Sequence, residues 1–89
     1  MNQLQIKATL LDIESKVDKN ANPYFRLSLV GMPGRYFYAF SFSLPTTTFQ
    51  ALTQAPHNFI NRQVLITYQE LPNQDQNGTF FKVKELAIM

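Results

Sequence analysis

Apolar residues recur at every second position along much of this chain, and that period limits what it can fold into. Leu4, Ile6, Ala8 and Leu10 alternate with Gln5, Lys7 and Thr9. Phe25, Leu27 and Leu29 alternate with Tyr24, Arg26, Ser28 and Val30. A period of two sends successive side chains to opposite faces of a β-strand, leaving one face of each segment for a core. The same reading over the whole chain predicts strands at about residues 3–14, 24–30, 35–43, 63–70 and 79–88. The first strand carries a slip, because Leu10 and Leu11 are adjacent and Ile13 follows, which points to a bulge or a strong bend. The last strand has its own slip, where Phe81 and Val83 give way to Leu86 and Ile88.

One stretch breaks the period. Pro45 suits the first turn of a helix, Phe49 and Leu52 lie three apart on one helical face, and Pro56 ends the element. A short helix is expected at roughly 45–55, with Ser43 or a following Thr as its cap. Polar segments at 15–23 and 72–78 and the turn Gly31-Met32-Pro33-Gly34 connect the strands. The 89 residues allow one domain, 1–89, with no visible repeat or linker.

The order of three strands, one helix and two strands is that of the OB-fold, a small five-stranded barrel; an SH3-like barrel, of similar size and strand count, and an antiparallel sheet packed on one helix are the competing folds. The stretch LLDIESKVDKNANPYFRLSLV resembles the first hairpin of single-stranded nucleic-acid-binding OB domains, and NGTFFKVKELAIM resembles their closing strand. The resemblance spans nearly the whole chain and carries no diagnostic motif. It implies an all-β fold, a five-stranded antiparallel OB-fold barrel with one short helix between strands 3 and 4. It also implies binding of single-stranded DNA or RNA, as a replication or repair accessory. The chain has no acidic or Gly-rich tail of the kind carried by larger bacterial single-strand-binding proteins, which departs from that pattern.

Composition argues against most other chemistry. There are no cysteines, which excludes a disulfide scaffold, a zinc ribbon and a thiol nucleophile. His57 is the only histidine and reads as a solvated loop residue. Asp12 and Glu14 share a strand face but read as solvated charges, with no further metal ligand close in sequence. The three glycines, Gly31, Gly34 and Gly78, all fall at turns, so no phosphate-cradling loop is present. The expectation is a non-enzyme with no cofactor and no metal. No apolar run approaches the ~20 residues of a membrane span, and the N-terminus does not read as a signal peptide. A cytoplasmic protein without membrane contact is expected.

Binding is the stronger reading. A single-strand surface needs flat rings on which bases stack and cations that track phosphates. Tyr24 and Arg26 point away from Phe25, Leu27 and Leu29. If the more apolar face of the third strand, with Tyr36, Tyr38, Phe40 and Phe42, is inward, then Arg35 and Phe37 point out beside them. Inverting that phase passes the stacking role to Tyr36 and Tyr38 and removes the geometric basis for a cationic role of Arg35. Lys16 and Lys19 lie in the first loop, Asn73, Gln74, Gln76 and Asn77 in the second. Phe80 and Lys82 lie on the last strand, opposite in phase to Phe81 and Val83. The candidate nucleic-acid-binding residues are therefore Tyr24, Arg26, Arg35, Phe37, Lys16, Lys19, Phe80 and Lys82. Phe25, Phe40, Phe42, Phe49 and Phe81 are expected in the core.

A formal charge of +2 supplies little non-specific attraction. Two stacked bases and a few phosphate contacts give about micromolar affinity for a monomer. A homo-oligomer, a dimer first, would supplement it through avidity. A protein-interaction OB domain, an assembly or accessory subunit without nucleic-acid contact, is the competing reading.

Overall fold

A computed structural model describes residues 3–72 and 78–89. The expected loop residues Asn73, Gln74, Gln76 and Asn77 lie outside the described residues. Among the described residues, five strands, β1 (Leu4–Val17), β2 (Pro23–Leu29), β3 (Tyr36–Phe40), β4 (Gln63–Pro72) and β5 (Thr79–Ile88), form one sheet. It closes in a ring in the order β1-β2-β3-β5-β4. Among the described residues, one α-helix, α1 (Thr46–Gln54), and a 3₁₀ turn at Pro56–Asn58 connect β3 to β4.

The ring closes because β1 is long enough to pair twice. Its first half, Leu4 to Thr9, runs antiparallel to β4, and its second half, Leu10 to Val17, runs antiparallel to β2. The register shifts between Leu10 and Asp12, where the doubled leucines interrupt the alternation, so Leu11 is the extra residue at the corner. Leu10 is buried on one side of that corner and Leu11 is exposed on the other. The second slip is also realised. β5 passes from Val83 opposite Tyr68 to Glu85 opposite Thr67, so Lys84 is the extra residue there.

The expectation of an all-antiparallel sheet is corrected at one pairing. β3 and β5 run parallel, with Phe37 opposite Phe81 and Tyr38 opposite Lys82. The connection from β3 passes through α1 and β4 before β5 returns beside β3, and the two strands then point the same way. β1 also extends to Val17, which makes Lys16 a strand residue rather than a loop residue.

The core is the inside of the ring. Leu10, Phe25, Leu27, Leu29, Phe37, Ala39, Val64, Ile66, Val83 and Leu86 are buried there with Leu44, Leu52 and Phe59 from the β3–β4 connection. Burying a side chain of Leu or Phe size contributes about 1.5–3 kcal/mol. Phe25 meets Phe49 of α1 at 5.1 Å between centroids, and Leu52 is the helix's one buried residue. The helix is therefore held by packing. Pro45 occupies the N-cap position and no side chain caps it. The expected cap, Ser43, is used elsewhere. Its hydroxyl accepts the Phe40 N–H at 3.1 Å and donates to the Val83 carbonyl at 2.9 Å, tying the end of β3 to β5.

Among the described residues, no helix is long and apolar enough to cross a membrane.

Candidate nucleic-acid interface

Residues directly opposite one another in a sheet share a face, so the register defines what lies on the outer wall. Across β1, β2 and β3 the outer rows are Lys16–Tyr24–Phe40, Glu14–Arg26–Tyr38 and Asp12–Ser28–Tyr36. Lys82 of β5 extends the middle row beyond Tyr38. The inner rows between β2 and β3 pair Phe25 with Ala39 and Leu27 with Phe37.

This corrects the phase expected for the third strand. Phe37 is 1% exposed and packs against Phe81 and Tyr68, with both centroid distances 5.0 Å. It cannot stack on a base. Tyr36, Tyr38 and Phe40 lie half-buried on the outer wall instead. The physical reason is interior volume. Phe37 and Ala39 present one large and one small side chain to a ring already holding Phe25 and Leu27, whereas the opposite phase would bring in three rings and two hydroxyls needing partners. Phe42, also expected in the core, follows the end of β3 and is 65% exposed, stacked on Phe40 at 5.0 Å.

The outer rings touch in sequence. Phe80 meets Tyr38 at 6.3 Å, Tyr38 meets Tyr24 at 6.0 Å, Tyr24 meets Phe40 at 5.2 Å, and Phe40 meets Phe42. Phe80, Tyr38, Tyr24 and Phe40 border an open depression of about 640 Å³ whose rim includes Arg35, Tyr36 and Asp18. That volume falls in the range of small-ligand sites, and its lining mixes the polar groups of Asp18, Arg35, Thr79 and the tyrosines with the rings of Phe40, Phe80 and Phe81. Tyr24 and Phe80 therefore stand on the outer wall as expected, and Tyr38 and Phe40 join them.

The cations are arranged unequally. Arg35 precedes β3 and sits in the turn, so the strand's phase does not govern it. Its guanidinium lies 5.5 Å from the Phe81 ring at the edge of the depression. Lys82 is half-buried beside Tyr38, and Lys16 half-buried beside Tyr24. Lys19 is exposed in the β1–β2 turn. Asp18 shapes that turn by accepting the backbone N–H groups of Asn20 and Asn22, both at 2.8 Å, and these bonds, that from Asn22 first, lower its pKa.

Arg26 is committed to neighbours. Its Nε and Nη2 both donate to Glu14 Oε1, at 3.1 and 2.6 Å, and its guanidinium lies 4.3 Å from the centroid of Tyr36. The hydrogen bond from Arg26 lowers the pKa of Glu14 and raises that of Arg26. The sequence signal for this pair was present, since Glu14 and Arg26 lie on facing strands, but it needed the register to be read. Asp12 accepts the N–H of Ile13 at 2.9 Å, and His57 is exposed. Among the described residues, no group of three or more His, Cys, Asp or Glu side chains is placed to hold a metal ion.

No protein-family model and no curated protein matches the chain.

Proposed function

We propose that this protein is an OB-fold module that binds single-stranded nucleic acid, DNA or RNA, by stacking bases on its outer wall. The observation that carries the reading is the unbroken run of touching rings from Phe80 through Tyr38, Tyr24 and Phe40 to Phe42. Rings in the core need no further account, but a row on the outer wall leaves apolar faces in water that an unpaired base covers well. Arg35, Lys82 and Lys16 flank the row and supply phosphate contacts. The element order, the long bent β1 closing on both β2 and β4, and the helix between β3 and β4 support the OB assignment. A second copy of the chain raises the affinity of so small a site through avidity.

The test is a titration of a short fluorescent oligo-dT with the purified protein at several salt concentrations, beside a duplex of equal length. Single-strand binding that weakens with salt and exceeds duplex binding is the expected result. A protein that binds neither strand form at low salt overturns the reading and favours a protein-docking role for the exposed Phe42.

A further inference from the structure

Tyr36 stands apart from the other rings of the outer wall. Phe80, Tyr38, Tyr24, Phe40 and Phe42 touch in sequence, whereas among the described residues Tyr36 meets no other ring. Its partner is Arg26, whose guanidinium carbon lies over the ring at 4.3 Å from the centroid. A base cannot stack on that face of Tyr36, because Arg26 already covers it.

The guanidinium is held from two directions. Nε and Nη2 both donate to Glu14 Oε1, at 3.1 and 2.6 Å, and the Tyr36 ring attracts the cation from one side. A guanidinium is planar, so these contacts fix where its two faces point. Arg26 stands directly opposite Tyr38 in the β2–β3 register, and Tyr38 is the ring that joins Phe80 to Tyr24. The Arg26 side chain is 28% exposed, and among the described residues no second ring lies on it. Charge leaves this arginine little use as a phosphate ligand, since Glu14 neutralises it and repels a phosphate brought close. What the pair keeps is a flat, weakly hydrated surface of fixed orientation beside Tyr38.

We infer that Arg26 is a stacking platform of the proposed single-strand surface, on which an unpaired base lies against the guanidinium face turned away from Tyr36. The inference rests on the single-strand reading above. Guanidinium planes accept unpaired bases as aromatic rings do, and every base has a π-face to offer. Base, Arg26 and Tyr36 then form three layers, and the row of rings gains one position next to Tyr38. Glu14 is a positioning residue. It touches no base, holds the guanidinium over Tyr36 and keeps it from turning to phosphate, which accounts for a carboxylate on a wall that binds an anionic strand.

The experiment measures binding of labelled oligo-dT, and of an equally long abasic sugar–phosphate strand at low salt, by the unaltered protein, Arg26→Lys and Arg26→Ala. Lysine keeps the charge beside Glu14 but has no plane. Arg26→Lys should bind oligo-dT about tenfold more weakly, within the range of one lost stack. Its slope of log K against log salt should stay nearly unchanged, and Arg26→Ala should lose at least as much affinity. On the abasic strand, which has nothing to stack, Arg26→Lys should match the unaltered protein. Parental affinity of Arg26→Lys for oligo-dT, with a slope lowered by about 0.7 in Arg26→Ala, identifies a phosphate contact and overturns the inference. Equal loss on both strands in Arg26→Lys, as a merely structural role produces, overturns it too. Either result leaves single-strand binding intact. Failure of the unaltered protein to bind oligo-dT overturns the single-strand reading and this inference with it.

Discussion

Phe37 and Tyr38 are consecutive in β3, yet Phe37 is sealed inside the ring against Phe81 while Tyr38 lies on the outer wall opposite Lys82. The two rings should therefore respond oppositely to truncation. Phe37→Ala removes a fully buried ring and leaves a cavity between Tyr68 and Phe81. It should cost about 3–5 kcal/mol in urea or thermal unfolding, close to the whole stability of a domain this small.

Tyr38→Ala should leave the unfolding midpoint nearly unchanged and weaken binding of a single-stranded oligonucleotide by about 1–3 kcal/mol. Tyr38 touches both Phe80 and Tyr24, so its loss interrupts the row at its centre. Equal oligonucleotide affinity for the variant and the parent would remove Tyr38 from the binding surface.

Cations are separable from rings by salt. Arg35→Ala and Lys82→Ala should each weaken binding of a single strand and reduce the slope of log K against log salt by about 0.7 per lost phosphate contact. Arg26→Ala should reduce that slope less, because Arg26 already holds Glu14. Binding isotherms at three or more salt concentrations give the slopes directly.

Acid should weaken the fold through Glu14 and Asp18. Both have folded pKa values lowered from their ordinary 4.5 and 3.8, Glu14 by its bond from Arg26 and Asp18 by the N–H groups of its turn. A lowered folded pKa means the unfolded chain binds protons more readily. The stabilisation is fully present above the ordinary values and is lost as pH falls through the lowered ones. Urea midpoints should hold steady from neutral pH down to the ordinary carboxylate range and fall below it. Glu14→Gln should be less stable than the parent at neutral pH, with the difference vanishing in acid.

The helix is held by packing, through Leu52 and through Phe49 against Phe25. Leu52 is 0% exposed, while no side chain caps the helix and its first turn carries no acidic residue. Leu52→Ala should cost about 2–5 kcal/mol. Amide exchange over Thr46–Gln54 should accelerate with it.

Much of the architecture was legible in the order of residues. A period of two in five segments gave strands within a few residues of those observed, because alternation is a local property of the backbone. The doubled leucines at positions 10 and 11 marked the β1 corner, and the Val83-to-Leu86 step marked the β5 bulge, for the same reason. In β2, where Phe25, Leu27 and Leu29 face Tyr24, Arg26 and Ser28, polarity also chose the inner face correctly. In β3 it did not. Both faces carry aromatic residues there, and the more apolar one turned outward. Alternation specifies two faces, but the volume left inside a small closed sheet selects between them. The parallel pairing of β3 with β5, the joining of Ser43 to Val83 and the bond between Glu14 and Arg26 are likewise contacts between distant segments. No local pattern encodes them. They exist only once the ring has closed and its register has set which side chains meet.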